Sequence, residues 1–99
     1  MKFMVNWSIG EENWLSVLEV FSSMTPEQRA DVGEDVKMIG RWHEPTSKTG
    51  VAIMETTNLA DLNRYLNMWN PFMEVEVVPV LDDEETAALS KEILADQKG

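Results

Sequence analysis

Two side chains in the stretch V-K-M-I-G-R-W-H-E, residues 36–44, are equipped for chemistry: Arg41 and His43. His43 is the only histidine of the chain. An imidazole titrates near neutral pH, so it can serve as a general base. Arg41 carries a planar, permanent cation suited to clamping a carboxylate, whether on a ligand or on Glu55, Glu74 or Glu76 of the protein. Both residues also have a structural reading, as a hydrogen-bonded strand histidine near a turn and an ion-paired arginine, and both readings stand at this stage. Asn6 is a polar residue in the middle of an apolar strand and needs a hydrogen-bond partner if buried. Asn6, Arg41, His43 and Glu55 therefore form the candidate ligand-binding set, with His43 and Arg41 as the candidates for catalysis.

Other chemistries are poorly served. The chain has no cysteine and one histidine, so a metal site would need carboxylates for nearly all its ligands, and none is expected. Asp82-Asp83-Glu84-Glu85 lacks the spacing of a calcium loop and reads as helix capping. No glycine-rich phosphate loop, Gly-x-Ser-x-Gly elbow or His-Glu-x-x-His pair occurs, and no cofactor is implied. Trp7 and Trp42 read either as core or as the walls of an aromatic pocket.

Composition narrows the partners. Eighteen acidic against eight basic residues give a formal charge of −10, which repels phosphate backbones and anionic lipid surfaces. The basic residues are scattered and form no stripe, against nucleic-acid binding. No apolar run approaches the roughly 20 residues of a membrane span. The N-terminal M-K-F-M-V-N-W-S-I-G alternates like a strand and is not read as a signal peptide. Absence of cysteine is compatible with a reducing compartment, and a cytoplasmic location is expected.

These residues must be held by a scaffold, and 99 residues suffice for one domain, 1–99, with its own core. Residues 2–9 alternate with period two and predict a strand. Trp14, Val17, Leu18, Phe21 and Met24 recur with helical spacing after Glu11 and Glu12, and Thr25-Pro26 stops that helix. Residues 26–35 are ambiguous, with a possible extra helical turn before Gly33. Residues 36–44 and 51–56 predict a hairpin about the turn P-T-S-K-T-G. Asn58 caps a second helix with Leu59, Leu62, Leu66 and Trp69 on one stripe, ended by Asn70-Pro71. Residues 72–81 form a β-prone run whose Pro79 suits an edge. Asp82 and Glu85 open a third helix by a capping box, Leu89, Ile93 and Leu94 give it a narrow apolar stripe, and residues 96–99 should fray.

The order β-α-β-β-α-β plus a C-terminal helix predicts a ferredoxin-like α+β fold, with a four-stranded antiparallel sheet and helices on one face. Parity places Phe3, Val5, Trp7, Val75 and Val77 under the helices, with Val36, Met38, Gly40 and Trp42 sharing one face of the second strand. Met4, Asn6 and Ser8, then Ile39, Arg41 and His43, then Glu74, Glu76, Val78 and Val80 fall on the uncovered face. Strand 51–56 can present either alternating set. An uncovered face holding Met4, Ile39, Val78 and Val80 predicts a homodimer through the sheet.

The segments M-K-F-M-V-N-W-S-I, I-G-R-W-H-E, A-I-M-E and V-E-V-V-P-V-L-D-D-E-E, in this order over nearly the whole chain, resemble the family catalogued as domain of unknown function 3303, of the dimeric α/β-barrel grouping. The resemblance implies a ferredoxin-like protomer pairing sheet to sheet, and implies no reaction. Three functional readings follow: a small dimeric domain binding a small organic ligand beside the sheet, a cofactor-independent monooxygenase- or isomerase-like enzyme, and a structural dimerisation module. The third helix can pack on its own chain or across the dimer.

Overall fold

The computed structural model describes residues 1–98. In chain order the elements are β1 (Lys2–Ser8), α1 (Glu11–Ser23), α2 (Pro26–Ala30), β2 (Val36–Glu44), β3 (Thr49–Thr56), α3 (Leu59–Leu66), a 3₁₀ turn (Asn70–Phe72), β4 (Glu74–Val80) and α4 (Asp83–Lys98). The four strands form one antiparallel sheet in the order β2-β3-β1-β4. This is the ferredoxin-like α+β arrangement expected from the element order.

Local chemistry sets the boundaries. Pro26 ends α1 and starts α2, and the Thr25 hydroxyl and Gln28 side chain cap α2 reciprocally. The ambiguous 26–35 segment is thus half helix and half loop, and Gly33 takes the loop's left-handed backbone at φ 112°. The Asn58 carboxamide oxygen accepts from the Ala60 and Asp61 amides at the start of α3. α3 stops at Leu66, short of the expected Trp69, because the chain tightens into the 3₁₀ turn at Asn70-Pro71. At α4 the Asp82 amide donates to Glu85 Oε1 at 3.0 Å and the Glu85 amide to Asp82 Oδ1 at 2.8 Å, the capping box read from the sequence. α4 continues to Lys98, past Asp96 where fraying was expected; Gly99 lies outside the described residues.

The core joins one sheet face to the helices. Phe3, Val5, Val36, Ala52 and Met54 are buried with Val32, Leu62 and Leu66, and Trp7, Met38, Tyr65, Val75 and Val77 pack around them. The register settles β3. Ala52 and Met54 lie beside Val5 and Phe3 under the helices, while Val51, Ile53 and Glu55 lie beside Asn6, Met4 and Lys2 on the open face. The buried Thr56 hydroxyl donates to the Asp35 carbonyl and accepts from the Asn58 amide, closing the base of the hairpin.

β2 departs from simple alternation. Met38 is paired with Met54 and Gly40 with Ile53, so Ile39 is an extra residue without a partner, a β-bulge. Each residue after it faces opposite to what parity predicts. Arg41, opposite Ala52, and His43, opposite Gly50, therefore point under the helices, not to the open face. Gly40 and Trp42 move the other way, and Trp42 is 58% exposed, outside the core. Its indole lies across Gly40, where an added β-carbon would sit 2.2 Å from Trp42 Cη2. The hairpin register also rules out an Arg41–Glu55 pair: Glu55 stands opposite Lys37 and Lys2, with Lys2 Nζ 3.5 Å from its carboxylate.

α4 projects from this body. Its root is tied to the open sheet face by Lys2, whose ammonium lies 2.9 Å from Asp82 and 4.0 Å from Glu85. None of its residues is buried, and Leu89, Ile93 and Leu94 are 42%, 48% and 60% exposed. The radius of gyration is 16.7 Å, against about 13 Å for a compact chain of this length.

Candidate functional site

The helix layer does not close completely on the sheet. Along α1 only Val17 is buried, although Trp14, Leu18 and Phe21 share its inward stripe. The gap is a half-open cavity of about 230 Å³. Its floor is sheet (Val5, Trp7, Ala52, Met54, Val75). Its walls are Trp14, Val17, Leu18 and Phe21 of α1 with Tyr65, Leu66 and Trp69 of the α3 side. Arg41 and His43 supply its two ionisable nitrogen groups, near Pro45 and Thr49 of the hairpin turn.

These two groups share one aromatic neighbour. The Arg41 guanidinium carbon lies 5.6 Å from the Phe21 ring centroid, and the His43 ring centroid lies 5.0 Å from it. Cations favour the faces of aromatic rings. Trp7 meets the His43 ring at 5.6 Å in an edge-to-face arrangement and lies flat over Gly50. Arg41 is oriented from below: Nη2 donates to the Arg29 carbonyl and to Met38 Sδ, and Nε also reaches Met38 Sδ at 3.3 Å. Arg29 stacks on Phe21 as well, at 5.7 Å. Neither Arg29 nor Arg41 has a carboxylate within ion-pair distance among the described residues.

Burial against the aromatic rings pushes the His43 pKa down, and the neighbouring Arg41 cation adds to the effect. The imidazole is therefore neutral at neutral pH. One edge reaches solvent while the other packs on Trp7 and Phe21. Such a group offers one N–H donor and one nitrogen acceptor beside a fixed cation.

The turn holds one end of the cavity. Lys48, with φ 58°, accepts from the Ile9 amide at its carbonyl. Its ammonium lies 3.0 Å from Glu11 and 5.7 Å from the Trp14 ring centroid, tying the hairpin to the start of α1. A larger groove of about 700 Å³ lies between α1 and the α3 side, lined by Val20, Met24, Met68 and Phe72, with Asp31, Glu34, Asp35 and Asp61 among its residues. Its one cation, Arg64, is bound to Asp61 at 2.6 Å.

The four residues singled out in the sequence divide across the sheet. Arg41 and His43 meet in the cavity; Asn6, flanked by Val51 and Glu76, and Glu55, beside Lys2, stand on the open face. Of the two tryptophans offered from the sequence as pocket walls, Trp7 lines the cavity and Trp42 does not, and the helix-side aromatics Trp14, Phe21 and Trp69 were missed as site residues. Trp14 and Phe21 were visible only as a helical stripe, which by itself spells core. Among the described residues no three His, Asp or Glu side chains converge as metal ligands would, and no helix is long and apolar enough to cross a membrane.

Comparison with known proteins adds one finding. A family model described as "Domain of unknown function (DUF3303)" matches residues 1–94. No curated protein matches the chain.

Proposed function

We propose, from the premise that the chain belongs to the DUF3303 family, that this α+β domain binds a small organic molecule in the cavity between sheet and helices. The observation that carries the reading is the cavity itself: about 230 Å³, aromatic on several sides, with its polar capacity concentrated in Arg41 and His43. Binding pockets are commonly apolar concavities with a few placed polar groups. An apolar cavity of about 150 Å³ already accepts benzene, so this one takes a ring with a short substituent. The tryptophans make the test direct. Trp7, Trp14 and Trp69 line the cavity, and Trp42 lies on the opposite sheet face. Titration with small aromatic probes, followed by the indole N–H resonances, should shift the first three saturably and leave Trp42 in place. Absence of any saturable shift confined to those three would refute the reading.

A homodimer is part of the same proposal. Met4, Val51, Ile53, Val78 and Val80 are half-buried on the open face, beside exposed Ile39 and Trp42. A second copy laid on this face, burying roughly 800 Å² per partner, would remove that apolar surface from water. α4 supports the same arrangement. With none of its residues buried, this helix lacks the tertiary packing from which most helix stability comes, and its root at Lys2 lies on the face a partner would cover. The cavity lies on the other side of the sheet, so dimerisation and ligand binding are separate properties.

An enzyme of the cofactor-independent oxygenase or isomerase type is the second reading. It is favoured by the depressed His43 pKa, which keeps the imidazole in its base form beside a cation able to hold an anionic intermediate. Turnover lost in His43→Ala, with probe binding retained, would separate this reading from binding alone.

A further inference from the structure

The two arginines around Phe21 are unusual for this chain. It carries ten more acidic than basic residues, yet Arg29 and Arg41 are both half-buried without a carboxylate partner among the described residues. A cation removed from water is ordinarily paired. Lys2 and Lys48, also half-buried, follow that rule, each within 3.0 Å of a carboxylate oxygen. Arg41 alone of the two stacked arginines lines the cavity.

The donor inventory of Arg41 is specific. A guanidinium has five N–H groups. Nη2 is occupied by the Arg29 carbonyl and Met38 Sδ, and Nε by the same sulfur. Nη1 has no acceptor in the described chain. Because Nε and Nη2 are engaged, a carboxylate would meet Arg41 through Nη1 and leave its second oxygen for another donor. His43 lies over the same Phe21 ring and, being neutral, can turn one N–H toward that oxygen. No aspartate or glutamate lines the cavity to repel an anion.

We propose that the cavity takes a small monocarboxylate with an apolar, ring-sized body, its carboxylate held by Arg41 and His43 and its body packed against Trp7, Trp14 and Phe21. This rests on the cavity reading above and adds the ligand's chemical class. The chain's negative charge opposes an anion at long range, but that field is screened over about 8 Å at physiological ionic strength. Within the cavity, the apolar walls strengthen the contact with Arg41 relative to water.

Phenylacetate and its neutral isostere phenylacetamide test the class, measured by calorimetry and by the tryptophan resonances. Wild-type protein should bind phenylacetate roughly ten- to a hundredfold more tightly than the amide, the range of a charge-assisted hydrogen bond. Arg41→Met should abolish that preference. Arg29→Met, which removes the cation on Phe21 that does not line the cavity, should keep it. Equal affinity of the wild-type protein for the two probes would overturn the class and leave the cavity reading standing. A preference that survives in Arg41→Met would overturn the assignment of the carboxylate to Arg41. Failure of both probes and of all other aromatic probes to shift Trp7, Trp14 or Trp69 would remove the cavity reading as well.

Discussion

Gly50 is the position at which the cavity's geometry can be tested through stability. A β-carbon there would lie 2.1 Å from Trp7 Cζ2 and 2.3 Å from Cε2, well inside van der Waals contact. The obstacle is a rigid indole that also packs on His43, so Trp7 must move, and the open space is the cavity. Overpacking of this kind costs about 1–3 kcal/mol. Gly50 does not have a positive φ, so alanine fits the backbone and restricts the unfolded chain, a gain of about 0.4–1 kcal/mol. The balance for Gly50→Ala is a loss of about 1–2 kcal/mol, a fall in Tm of roughly 4–16 °C for a domain of this size. Thermal unfolding followed by far-ultraviolet circular dichroism measures it. The same substitution in a Trp7→Leu background isolates the cause. With the indole gone only the backbone term remains, and Gly50→Ala should become stabilising. An equal loss in both backgrounds would show that Trp7 does not lie over Gly50 and would discredit the floor of the cavity.

Two further outcomes follow from electrostatics and from the open face. Asp35 shares a hydrogen bond with Asp61, which, with the repulsion between the two carboxylates, raises the Asp35 pKa. The folded state thus favours the protonated form, and its contribution is present below the ordinary carboxylate value and lost as pH rises through the raised one. Asp35→Asn, a permanent donor to Asp61, should therefore stabilise the protein at neutral pH and lose that advantage on acidification, read as urea midpoints at the two pH values. Ile53→Lys places a charge at the middle of the open face, opposite Met4. It should shift sedimentation from dimer to monomer while the tryptophan response to aromatic probes is kept, and a wild-type monomer at micromolar concentration would end the dimer proposal.

Much of this architecture could be read from residue order because its punctuation is chemical. Thr25-Pro26 ends α1 where expected, and Asn58 and the Asp82/Glu85 pair, acting through local hydrogen bonds, each begin a helix at the expected place. The choice of face in β3 required the register with β1, which is a tertiary fact. The site was legible in its residue types and not in its location. Arg41 and His43 are the expected pair, but nothing in V-K-M-I-G-R-W-H announces which residue is supernumerary, since Met38 and Ile39 are both acceptable on either face. Gly40 was the available signal, because an isolated glycine inside a strand often marks a bulge. The cavity was hidden for a different reason. A stripe such as Trp14, Val17, Leu18 and Phe21 specifies which side of a helix faces inward, not how far the helix stands from the sheet.

The extra residue at Ile39 makes β2 two short strands in opposite phase. Its consequence is most visible in evolutionary terms. Loss of the single Ile39 codon would make Met38 and Gly40 consecutive opposite Met54 and Ile53, restoring unbroken alternation with Arg41 and His43 still beneath the helices and Gly40 and Trp42 still outside. The bulge absorbs the extra residue, so both faces keep their chemical characters with or without it. In this strand a one-residue length difference taken up by the bulge is therefore neutral to the site, whereas the same extra residue threaded into the ladder without a bulge would turn Arg41 and His43 outward.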